Sequence, residues 1–98
     1  MTAYIIADID VTNPEGYAPY RAAAQKTIAD YGGRFLARGG AVEKLEGDWK
    51  ANRVVIIEFP SMDAARKWYH CAEYQEALKI RLANSKGYVI LTEGVPAG

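Results

Sequence analysis

A strand–helix–strand pattern that occurs twice within 98 residues leaves few folds open to this chain. Residues Ala3 to Val11 alternate, with Ala3, Ile5, Ala7, Ile9 and Val11 on one face and Tyr4, Ile6, Asp8 and Asp10 on the other, as a half-buried strand does. Asn13-Pro14-Glu15 reads as a helix start: a capping side chain, a Pro in the first turn and an acid at the positive end. Tyr17, Tyr20, Ala24, Ile28 and Tyr31 follow at steps of three and four, one helical stripe, and Gly32-Gly33 ends it. Pro19 lacks a backbone donor, so either the helix proper starts near Ala18 or its first turn is loose. Arg34 to Gly39 makes a second strand, with Phe35 and Ala37 opposite Arg34, Leu36 and Arg38.

The second half repeats the pattern after a polar stretch, Gly40 to Asn52, that reads as a long loop around Trp49. Arg53 to Phe59 is β-branched and closed by Pro60, the clearest strand in the chain. Ser61 caps the next helix, whose packing stripe is Met62, Ala65 and Tyr69 with Trp68 beside it. A break near His70-Cys71-Ala72 precedes a run from Glu73 to about Asn84 carrying Tyr74, Ala77, Leu78 and Arg81. Gly87 opens a last strand through Thr92, and Val95-Pro96-Ala97-Gly98 is a tail. The order predicts an α+β, ferredoxin-like βαββαβ fold in a single domain over residues 1–98: a four-stranded antiparallel sheet, order 4-1-3-2, with its helices on one face.

Helices cover only one face of such a sheet. The uniformly apolar set, including Ile5, Ile9, Phe35, Ala37, Val55, Ile57 and Phe59, belongs beneath them. The opposite face holds Tyr4, Ile6, Leu36, Val54 and Ile56, too apolar and too continuous a patch to leave in water. Burial against the same face of a second copy satisfies both subunits, so the expected partner is the chain itself. That face also carries Asp8, Asp10, Arg34, Arg38 and Glu58. They read either as cross-strand ion pairs or as a cluster in which two carboxylates share a proton, with Asp8 and Glu58 as candidate catalytic groups.

Twelve basic residues balance twelve acidic ones, and no basic stripe stands out, which argues against a nucleic-acid partner. No apolar run approaches the ~20 residues of a membrane span. The N-terminus has no basic region before Asp8, so a cytoplasmic chain is expected. Cys71 is the single cysteine and cannot form an internal disulfide. His70 is the single histidine, so neither a metal nor a haem cofactor is expected.

Several joined motifs resemble one bacterial family: Asn52-Arg53-Val54-Val55-Ile56-Ile57-Glu58-Phe59-Pro60-Ser61, then Ala64-Ala65-Arg66-Lys67-Trp68-Tyr69, then Glu73-Tyr74-Gln75. Gly32 to Gly40 and Leu45-Glu46-Gly47-Asp48-Trp49 carry the likeness across the chain. It is similar to the small domain-of-unknown-function family of the dimeric α/β-barrel superfamily. The resemblance implies a fold and a homodimeric assembly. It also implies relatives such as quinol-type monooxygenases, muconolactone isomerases and chlorite dismutases, which place ligands between sheet and helices. Chemistry does not transfer on fold alone. Where that family usually has Ser-Pro before Glu-Tyr-Gln, this chain has Cys71-Ala72.

Candidate ligand-binding residues follow from the helical stripes. Trp68 and Tyr74 either fill the space over the sheet or line a cleft for a flat organic molecule. Arg81 shares their stripe and is costly to bury alone, so it either reaches a carboxylate such as Glu58 or waits for an anion. Arg38 supplies a second positive charge, and His70 is a candidate general base. Two readings stand. One is a binder of a small aromatic or enol-type acid, acting without a cofactor and open to a role as an enzyme; the other is a non-catalytic homodimeric structural or protein-interaction module.

Overall fold

The computed structural model describes residues 1–96; Ala97 and Gly98 of the expected tail lie outside the described residues. Seven elements succeed one another: β1 (Ala3–Val11), α1 (Pro14–Asp30), β2 (Arg34–Arg38), β3 (Val54–Phe59), α2 (Met62–His70), α3 (Ala72–Asn84) and β4 (Ser85–Glu93). The strands form one antiparallel sheet in the order β2-β3-β1-β4. This is the ferredoxin-like topology that the element order predicts.

Each helix begins where its cap requires. The Asn13 side chain accepts the Gly16 N–H, and Ser61 Oγ accepts the Ala64 N–H at 3.0 Å. Pro19 does not delay α1, which starts at Pro14 and carries Pro19 inside its second turn. Its exposed position lets the missing backbone bond be replaced by water. The expected break after α2 falls at Cys71, whose backbone is extended and whose Sγ accepts the Tyr74 N–H at 3.4 Å. Sulfur is a weak acceptor. Cys71→Ser is expected to leave the fold intact and to raise unfolding stability by up to about 1 kcal/mol, the worth of a good cap, as urea denaturation would show. A loss of stability would mean that the half-buried thiol matters more as packing than as cap.

The core lies between the sheet and one helix layer. Ile5, Ile57 and Phe59 meet Ala24 and Ile28 of α1, Ala65 and Trp68 of α2, and Tyr74, Ala77 and Leu78 of α3. Trp68 is fully enclosed, with its ring centroid 5.3 Å from Phe59 and 4.1 Å from Tyr74. Its indole N–H donates to Thr27 Oγ1 at 3.0 Å, so the buried polar atom is satisfied. At 16 Å, the thinnest dimension of the chain has room for the sheet and this one layer. The other sheet face is bare. Ile6 pairs with Ile56 on one side and Ile90 on the other, and Ile90 and Tyr88 are 57% and 80% exposed.

Strand β2 departs from regular register. Phe35 lies opposite Ile57, but Ala37 lies opposite Ile56, so β2 carries a bulge between them. An extra residue flips every later side chain to the other face. Strict alternation puts Arg38 on the bare face and Ala37 under the helices; the bulge reverses both. Gly39, at φ +74°, then turns the chain out of the strand.

Candidate functional site

Between α1, α3 and the β2–β3–β1 side of the sheet lies a cleft lined mainly by apolar and aromatic side chains. Its floor is Ile5, Ala7, Val55 and Ile57; its walls include Tyr17, Tyr20, Trp68 and Tyr74. The inner volume is about 60 Å³. An engineered cavity that takes benzene measures ~150 Å³, so a ring does not fit inside this one. Several waters do, or a small polar head group.

Among the described residues four arginines line the cleft, Arg21, Arg38, Arg53 and Arg81, and no carboxylate does. Arg81 comes from α3, two turns beyond Tyr74, and is only 6% exposed. Its Nε is buried without a hydrogen-bond partner. The ion pairs among the described residues are Arg34–Glu58, Lys67–Asp63 and Lys79–Glu76, so none involves Arg81. Burial works against its charge, the neighbouring Tyr74 and Tyr20 hydroxyls work for it, Tyr74 also through a hydrogen bond, and the balance favours the charged form. A buried cation with no carboxylate beside it and an unsatisfied Nε is costly to keep.

Above Arg81, the Tyr20 and Tyr74 hydroxyls share a hydrogen bond of 2.8 Å. Burial, then the neighbouring Tyr74, pushes the Tyr20 phenol far above its ordinary range, so it stays protonated. Burial likewise raises Tyr17. These are neutral donors, not bases.

The remaining arginines are more exposed and frame the mouth. The Arg21 guanidinium lies 5.6 Å from the centre of the Tyr17 ring, and that of Arg38 lies 4.6 Å from the centre of the Phe35 ring. Arg53 packs across Gly39, where a Cβ would meet its Nε at 2.7 Å. Its backbone is held from the opposite side of the sheet: its N–H donates to Asp8 Oδ1 at 3.2 Å, and its carbonyl accepts the Ile9 N–H at 3.0 Å.

Of the residues singled out in the sequence, the cleft gathers Arg38, Trp68, Tyr74 and Arg81. Trp68 serves as a wall and is itself part of the core. His70 is elsewhere, exposed at the end of α2 beside a separate groove with Arg66 and Tyr69. Glu58 cannot meet Arg81, because it points to the bare face, where its Oε1 accepts from Arg34 Nε at 2.8 Å. Asp8 and Glu58 do not share a proton. Asp8 lies opposite Val54 and Glu58 opposite Tyr4, a separation of four strand residues or ~13 Å. Asp8 instead accepts three hydrogen bonds, the first from the Trp49 indole at 2.8 Å, and these hold its carboxyl below the usual range. Among the described residues no three His, Cys, Asp or Glu side chains gather as metal ligands, and no helix is long and apolar enough to cross a membrane.

Arg53 and Arg21 were the residues that strand and helix patterning could have added. Arg53 has the parity of Val55, Ile57 and Phe59, and Arg21 stands one turn beyond Tyr17. Only the assumption that charges face water hides them.

The chain is similar in structure to proteins of the same fold. The RPA0582 protein of unknown function from Rhodopseudomonas palustris matches with a TM-score of 0.80 at 21% identity, over 98% of this chain and 84% of that one. A dimeric ferredoxin-like protein of unknown function from Jannaschia sp. CCS1 gives a TM-score of 0.71 at 11% identity, over 96% and 100% of the two chains. SnoaB, a cofactor-independent oxygenase from Streptomyces nogalater, gives 0.64 at 13% identity, over 98% and 95%. Among curated proteins nothing matches. A family model described as "Domain of unknown function (DUF1330)" matches residues 2–95, nearly the whole chain, and with it the motifs around Glu58-Phe59-Pro60-Ser61 and Glu73-Tyr74-Gln75: the chain belongs to the DUF1330 family.

Proposed function

We propose that this single-domain chain forms a cytoplasmic homodimeric α/β barrel and binds a small aromatic or enol-type acid between its sheet and helices, without a cofactor. The observation that carries the reading is Arg81, a buried guanidinium with an orphaned Nε in a cleft that holds no acid. A guanidinium grips a planar carboxylate with two parallel hydrogen bonds, and the neighbouring phenols supply neutral donors. Among the described residues no His, Asp or Glu lines the cleft, which favours binding over proton transfer. That SnoaB, of the same fold, is a cofactor-independent oxygenase fits a site that works from side chains alone. The dimer is supported by the bare apolar face and by neighbours described as dimeric.

Arg81→Met tests the reading, because function and stability then move in opposite directions. Methionine fills similar space and removes a buried donor that has no hydrogen-bond partner, so unfolding stability should rise by about 1–3 kcal/mol. Affinity for benzoate-type acids, measured by calorimetry, should fall roughly 10- to 150-fold, the equivalent of about 1.5–3 kcal/mol for a charged hydrogen bond. Absence of saturable binding to the unmutated protein would leave the structural homodimer as the function.

A further inference from the structure

The cleft holds more positive charge than one carboxylate can answer, and that charge is divided by depth. Arg81 is enclosed; Arg21 and Arg38 are exposed at the rim, and Arg53 is half-buried between. In a chain with twelve basic and twelve acidic residues, four basic side chains converge here with no acid among the described residues of the lining. Among the described residues none of these three guanidinium groups meets a carboxylate: Arg21 rests over Tyr17, Arg38 over Phe35, and Arg53 over Gly39. Among the described residues their side-chain hydrogen bond is a long one from Arg38 Nη1 to Gln25 Oε1, at 3.4 Å. Rings and a glycine orient these groups and leave their donor edges free.

Size then fixes how a ligand sits. About 60 Å³ accommodates a carboxylate head beside Arg81 but no ring. The body of the ligand must lie in the mouth, between Tyr20 and Phe35, and its far end must come out among the rim arginines. We infer that the ligand is an elongated dianion, with one carboxylate on Arg81, a flat apolar middle, and a second anionic group held by Arg38 and Arg53. This rests on the acid-binding reading above and deepens it.

The test compares terephthalate with 4-methylbenzoate, which differ by a methyl group in place of the second carboxylate. Calorimetry should show terephthalate binding at least tenfold more tightly, with a steeper loss of affinity on adding salt. The double variant Arg38→Gln/Arg53→Gln should bring the ratio close to one, because it weakens terephthalate far more than 4-methylbenzoate. Lys79→Gln removes one exposed charge on the outside of α3 and should leave the ratio as it was. Phenyl phosphate, which carries its charge on one head, should gain nothing over 4-methylbenzoate. Equal affinities for the two acids, or phenyl phosphate matching terephthalate, would overturn the dianion and leave the cleft as a site for single acids. If neither acid binds, the acid-binding reading fails with it.

Discussion

Ile56→Lys is expected to turn a species of twice 10.8 kDa into a monomer or into insoluble protein. Ile56 is central to the bare face: it lies opposite Ile6 on β1 and Ala37 on β2. Four strands ~4.8 Å apart and up to ~30 Å long offer a plane of roughly 500 Å². The loop between β2 and β3 adds to it, because Trp49, Val42 and Leu45 are exposed and group around Val54 of the same face. Together they approach the ~800 Å² per partner of a stable interface. A lysine in that seam would have to bury an ammonium with no acid in register, since Glu58 is occupied by Arg34. Light scattering of wild type and variant decides the matter. A monodisperse monomer from the unmutated chain would show that this face is tolerated in water.

Element order and faces were readable in the chain because the periods are unambiguous. Val54 to Phe59 is a β-branched run, Ala3 to Val11 alternates without a slip, and Asn13 and Ser61 cap helices by the same local chemistry that makes them recognisable. Parity is a global property of a strand, however, and a single extra residue undoes it. The bulge near Leu36 sends Arg38 into the cleft and Ala37 out of it, and nothing in Arg34-Phe35-Leu36-Ala37-Arg38 announces the change. Whether Arg81 finds a carboxylate was also beyond reach, because both possible partners and their competitors are distant in sequence. Glu58 is taken by Arg34, which stands in register across from it, before any contact with α3 arises. The long loop is the third case. Its placement depends on one indole meeting one carboxylate across 41 positions, and no local pattern encodes that.

That contact should carry the largest stability effect of any polar residue in the chain. Asp8 is 8% exposed and accepts the Trp49 indole N–H on Oδ2 and the Asn52 and Arg53 N–H groups on Oδ1. It therefore ties the end of the long loop to the start of β3 and sets the backbone from which Arg53 enters the cleft. Asp8→Ala removes all three bonds and should cost about 3 kcal/mol, the upper end for bonds to a charged group. Asp8→Asn should cost less, because its carbonyl can still accept the two backbone groups while its amide cannot accept from the indole. In the Asp8→Asn background, Trp49→Phe should then add almost nothing, whereas in the wild type it should cost as much as Asp8→Asn. The pH dependence has a definite sign. Because the folded carboxyl titrates below the unfolded value of about 3.9, its contribution is complete above that value and is lost as pH falls through the lowered folded value. Acid titration of Trp49 emission, read in a Trp68-containing protein and in Trp49→Phe as blank, should show a transition below pH 4 that Asp8→Asn abolishes. A transition that survives Asp8→Asn would mean that another carboxylate holds the loop.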